Sequence, residues 1–67
     1  MESTATKGVY IERLSKGYYL EIDTKNFEIK VFSPTSYLKT VAIGHDIYSV
    51  DVKNVRESVI ENFNLNN

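Results

Sequence analysis

No cysteine occurs among the 67 residues, so no disulfide can staple the fold and no thiolate can act as nucleophile or metal ligand. A single histidine, His45, stands beside Gly44, with no second imidazole or thiol to complete a structural metal site or an acid–base pair. It reads as a loop residue. Three isolated glycines make no phosphate-cradling loop. Neither sign of charge prevails, with eight Lys and Arg against nine Asp and Glu, so no global basic field draws the chain to nucleic acid. No apolar run approaches the roughly 20 residues of a membrane span, and Met1 to Lys7 lack the basic and apolar stretches of an export signal. The expectation is a cytoplasmic protein that does not insert into a membrane. It is expected not to be an enzyme, with no catalytic residue, metal, cofactor or small-molecule substrate.

What the chain does have is strand alternation. Residues 1–7 read as a flexible tail. From Gly8 onward, Val9, Ile11 and Arg13 alternate with Tyr10, Glu12 and Leu14, the period of a strand rich in β-branched residues. Ser15, Lys16 and Gly17 read as a tight turn, with Gly17 free to take a positive φ. Tyr18 to Asp23 follow as a second strand, Thr24 to Asn26 as a turn, and Phe27 to Phe32 as a third strand with Phe27, Ile29 and Val31 on one face. The lone proline, Pro34, places a loop at residues 33–36. A fourth strand is expected over 37–43, and a fifth over 47–50.

Asp51 then fits a helix N-cap. Val52, Val55, Val59 and Phe63, with Ile60 beside them, recur at helical spacing and predict an amphipathic helix. Rich in β-branched residues and about a dozen residues long, that helix must dock to be stable. Residues 64–67 read as a polar tail. The predicted class is all-β, five short antiparallel strands with one C-terminal α-helix, in one domain over residues 8–63.

A chain this short buries little apolar surface against an ordering cost of about 1 to 2 kcal/mol per residue. Disulfides and metals being excluded, self-association is the remaining device. A homodimer is expected.

Several stretches resemble the carbon storage regulator family (CsrA/RsmA). VYIERL stands where that family has LILTRR, SKGYYLEID where it has VGE(S/T)L.IG, Phe27 to Val31 carry its V.V.V rhythm, and YSVDVKNVR is similar to VSVHREEIY. The resemblance runs from about Val9 to Phe63. It implies an intertwined CsrA-like homodimer in which the first and last strands of one chain complete the sheet of the other. It also implies binding of messenger-RNA leaders along the edges those strands form. The family's essential arginine falls at Val52 here, the second of its two first-strand arginines is Leu14, a threonine is replaced by Glu12, and its N-A-P turn is Gly44, His45 and Asp46.

Two functions follow as expectations. The first is a non-enzymatic post-transcriptional regulator that binds messenger RNA weakly or with altered specificity. The alternative is a protein-binding adaptor that has lost RNA recognition, connected by the resemblance to type IV pilus or motility systems. Under either, the candidate RNA- or partner-binding residues are Ile11, Arg13, Leu14, Lys16, Val50, Asp51 and Val52, with Tyr10 and Tyr48 as candidate aromatic contacts. Arg13 and Lys16 suit phosphate, or equally a solvated, aggregation-resistant edge. The five tyrosines suit base stacking, an interface, or strand packing alike.

Overall fold

The computed structural model describes residues 1–43 and 51–66. Five antiparallel strands form one sheet in simple meander order: β1 (Glu2–Ser3), β2 (Val9–Arg13), β3 (Tyr19–Asp23), β4 (Glu28–Phe32) and β5 (Tyr37–Ile43). A single helix, α1 (Val52–Asn62), closes the described chain. The predicted class of antiparallel strands plus one C-terminal helix is the one observed. The fifth strand expected over 47–50, together with His45, Tyr48 and Val50, lies outside the described residues.

The identity of the outer strand on one side differs from the sequence reading. Residues 1–7, read as a tail, contain β1, which pairs Glu2 with Ile11 and Ser3 with Tyr10. The reason is local hydrogen bonding that polar composition conceals. Thr4 Oγ1 accepts from the Thr6 amide at 3.1 Å, the Val9 amide donates to Thr6 O at 3.1 Å, and Gly8 turns the chain at φ +84. These contacts close a compact turn in the manner of side-chain-stabilised turns.

The next two connections follow the expected chemistry, with one refinement each. Ser15–Gly17 makes a short 3-10 turn in which both Lys16 (φ 61) and Gly17 (φ 79) are left-handed. Gly17 is obligatory for a second reason: a Cβ there would lie 2.8 Å from Pro34 Cγ. Between β3 and β4, Asp23 Oδ1 accepts from the amides of Lys25 and Asn26 at 2.9 and 3.0 Å, and Asn26 Nδ2 donates to Asp23 Oδ2 at 2.8 Å. Phe27, expected in the third strand, belongs instead to this turn with φ 55.

Strand alternation divides the sheet into two faces. Opposed residues of antiparallel strands share a face, so Tyr10, Ile22 and Ile29 form one row, and Glu12, Leu20 and Val31 the next. The helix covers these rows. Leu20, Ile29 and Val31 are fully buried, with Ile22, Val59 and Leu65 nearly so. Six buried side chains make a small core, extended by the partly buried Leu14, Val52, Val55, Ile60 and Phe63.

Both helix ends are capped. Asp51 Oδ1 accepts from the Asn54 amide at 3.1 Å, the N-cap expected from sequence. At the other end Asn64 adopts φ 56, the Leu65 amide donates to Ile60 O at 2.8 Å and the Asn64 amide to Glu61 O at 3.3 Å, the paired bonds of a Schellman motif. That geometry turns Leu65 into the core. Residues 64–67, read as a polar tail, therefore contain a core residue, and Ser15 Oγ donates to Leu65 O while Lys16 Nζ donates to Asn64 O at 3.0 Å.

Candidate binding surface

The face of the sheet turned away from α1 carries a continuous row of large side chains. Arg13 opposes Tyr19, Tyr19 opposes Phe32, and Phe32 opposes Tyr37 across β2, β3, β4 and β5. The Tyr19 and Phe32 rings stack with centroids 5.0 Å apart and planes 1° apart; Phe32 and Tyr37 meet edge to face at 5.5 Å and 66°. Tyr37 is 51% exposed, and its hydroxyl is 3.0 Å from Thr40 Oγ1. Each cross-strand pair of this kind adds about 0.2 to 1 kcal/mol to the sheet, so the row is a stiff ridge. The stacked Tyr19 and Phe32 rings therefore cover one plane of each other.

Charge on this face is mixed. By register it holds Glu2, Glu21, Asp23 and Glu28 against Arg13 and Lys30, a net of −2. Arg13 is further neutralised, since its guanidinium forms a two-pronged ion pair with the Glu2 carboxylate. That pair is exposed at 69% and 53%, so its net worth is at most about 1 kcal/mol. The Asp23 carboxyl is held below its ordinary value of 3.8, first by the Asn26 backbone amide and then by the Asn26 side-chain amide.

Within one chain, the described residues among the sequence-predicted site do not converge. Ile11 and Arg13 lie on the open face, and Asp51 is occupied as the helix cap. Tyr10, Leu14 and Val52 pack against the core on the opposite side, so the candidates Ile11, Leu14 and Val52 do not share one surface of the chain. Lys16 stands in the 3-10 turn and bonds to Asn64 O. Glu12, read as a charge beside Arg13, points to the other face, where one of its oxygens lies 3.0 Å from Arg56 Nε. The angle there falls outside hydrogen-bonding geometry, leaving an ion pair alone.

Tyr19, Phe32, Tyr37 and Lys30 were missed as a site. The signal that finds the three rings is register: Tyr19 and Phe32 each adjoin a buried residue of the alternate face, Leu20 and Val31, and cross-strand pairing adds the exposed Tyr37 to their row, while Lys30 lies in the neighbouring row opposite Glu21. Among the described residues no group of three His, Cys, Asp or Glu is placed to hold a metal ion, and no helix is long and apolar enough to cross a membrane. Compared with protein-family models, with curated proteins and with solved structures, the chain matches none.

Proposed function

We propose that this protein is a non-enzymatic protein-binding module that associates as a homodimer through the open face of its sheet. The observation that carries the reading is the aromatic row of Tyr19, Phe32 and Tyr37 on a face of net charge −2. Aromatic side chains held rigid at low entropic cost are what protein interfaces favour. Phosphate binding asks for the reverse, a surplus of unpaired cations and ring planes open for bases. The messenger-RNA reading implied by the family resemblance is therefore the weaker of the two.

The form of the dimer is also argued from the strands. An exchange of first strands between chains would have to free β2 from β1 and β3, which flank it within its own chain. Stacking two open faces needs no such opening. Five strands about 4.8 Å apart and about five residues long cover roughly 400 Å² per copy, or about 800 Å² in total. That lies below the roughly 1,200 to 2,000 Å² of stable specific interfaces and in the range of weak, transient ones. The expected dimer is a reversible one, dissociating in the micromolar range.

The test is sedimentation velocity from about 1 µM to 1 mM, on the parent chain and on Phe32→Lys, alongside titration with a GGA-hairpin RNA over a salt series. A concentration-dependent dimer lost in a folded Phe32→Lys supports the proposal. A monomer throughout overturns the dimer. Submicromolar, GGA-dependent RNA binding overturns the protein-binding reading.

A further inference from the structure

The two edges of β2 are unlike. Both backbone polar groups of Val9 turn toward the N-terminal segment: its amide donates to Thr6 O at 3.1 Å, and its carbonyl accepts from the Thr4 amide at 3.2 Å. Gly8 and Leu14 turn the other way, Gly8 O accepting from the Thr24 amide and the Leu14 amide donating to Tyr18 O, each at 2.8 Å. Backbone groups alternate between the two edges of an antiparallel strand, so Tyr10 and Glu12 bond to β3 while Ile11 and Arg13 share the outer edge with Val9. β1 covers that edge, with Glu2 opposite Ile11, on the far side of the sheet from β5.

The cover is lightly held. Residues 1–3 and 5–7 are exposed, and none of the first seven belongs to the core or packs against it. Beyond its short ladder, β1 is tied by the exposed Glu2–Arg13 ion pair and by the Met1 amino group, 3.5 Å from a Glu12 oxygen, contacts that water and salt weaken. The strand beneath reads Val9-Tyr10-Ile11-Glu12-Arg13, and its outward-bonding residues 9, 11 and 13 are symmetric about Ile11. An antiparallel copy centred there sets Ile11 against Ile11, Val9 against Arg13 and Tyr10 against Glu12. Every outward amide and carbonyl then finds a partner, and no like charges meet.

From this we infer that β1 is a displaceable guard strand: it closes the outer edge of β2, and its release lets β2 pair antiparallel with β2 of a second copy about Ile11. The mode is strand addition, in which main-chain bonds give the affinity. A short, charged strand laid over an open edge is a barrier to that mode. The pairing runs edge to edge within one sheet, so it does not depend on the face-to-face dimer.

Two measurements test the guard. In the parent chain, hydrogen exchange read by nuclear magnetic resonance should release the Val9 and Ile11 amides at least tenfold faster than the Tyr10 and Glu12 amides, because β1 opens without the rest of the sheet. Equal protection overturns the inference. In the full chain, Glu2→Pro with Thr4→Pro removes the β1-side amides that meet β2 and the carboxylate that holds Arg13. Placed in the Phe32→Lys chain, which lacks the face-to-face contact, the two prolines should leave a cooperative melt and let sedimentation velocity detect dimers at a concentration at least tenfold lower than for Phe32→Lys alone. Adding Ile11→Lys sets like charges at the two-fold axis and should return the monomer. An unfolded proline variant, a folded one that stays monomeric to about 1 mM, or a dimer that Ile11→Lys leaves intact overturns the inference. A parent chain that is monomeric while the proline variant pairs sinks the face-to-face dimer alone.

Discussion

Leu65 gives the sharpest test of the packing, because sequence pattern and structure make opposite predictions for it. In a polar tail, Leu65→Ala changes nothing. In the structure Leu65 is 4% exposed, and its position is fixed by the amide bond to Ile60 O. Removing its three outer carbons forfeits about 2 kcal/mol of transfer free energy, and the cavity left behind adds to that, within an overall range of about 2 to 5 kcal/mol for buried leucine. A residue in the turn beyond a helix relaxes more readily than one mid-helix, so about 2 to 3 kcal/mol is expected. Against a total of roughly 3 to 10 kcal/mol for a domain this size, that is a large fraction. Urea unfolding followed by far-ultraviolet circular dichroism should show the midpoint falling with an unchanged slope, and the melting temperature should drop by about 10 to 20 °C. Asn66→Ala is the control and should shift stability by less than about 0.5 kcal/mol. A Leu65→Ala effect as small as that of the control would refute the docking of the C-terminus.

Asp51→Ala should destabilise the fold by about 1 kcal/mol through loss of the N-cap bond to Asn54, with Asp51→Ser recovering most of it in the same unfolding assay. Val52→Arg would restore the arginine of the carbon storage regulator pattern. Because Val52 packs against the core, it should instead cost about 1 to 3 kcal/mol, and improved RNA binding by a stable variant would contradict its placement. Gly17→Ala should destabilise by more than about 1 kcal/mol, since it forces a side chain into a left-handed backbone and against Pro34; melting curves decide it. The depressed carboxyl of Asp23 contributes stability that is present above its unfolded value, near 3.8, and lost as pH falls through the lower folded value. The parent chain should therefore weaken more than Asp23→Asn between pH 5 and pH 2 in urea titrations; equal losses would remove Asp23 from the account.

The sheet was legible because alternation and burial agree wherever one face is covered. Leu20, Ile22, Ile29 and Val31 sit at period two and occupy the core positions that period requires. The helix was legible for the same reason, with Val59 at the centre of its apolar stripe and Asp51 at its cap. What escaped was decided by contacts with no periodicity. Leu65 stands among asparagines and is carried inward by the left-handed turn at Asn64, while Glu2 and Ser3 become a strand through the threonine-stabilised turn that follows them. Phe27 fits the third strand's pattern, yet four residues are needed to close the turn that Asp23 organises, and Phe27 is the last of them.

The candidate site was harder to see, since a strand's exposed positions carry no hydrophobic signal until register is known. Aligning by resemblance put Arg13, Leu14 and Val52 on one edge, but period two sends Arg13 and Leu14 to opposite faces. Leu14 and Val52 then go to the core and Arg13 to the ridge with Tyr19. The same alternation keeps the two faces of the sheet apart. Residues 11, 13, 19, 30, 32 and 37 face away from the helix, and Lys39 lies on the helix side, where it meets Phe63. A five-stranded sheet covered by one helix has two unlike faces, and a chain of this length can use the uncovered one to enlarge its apolar contact. Charge reversal at Lys39 should therefore leave the monomer–dimer balance unchanged, whereas charge insertion at Phe32 should shift it to the monomer. If Lys39→Glu dissociated the dimer as Phe32→Lys does, the two faces would not act independently, and the sheet could not be the partition that the face-to-face dimer requires.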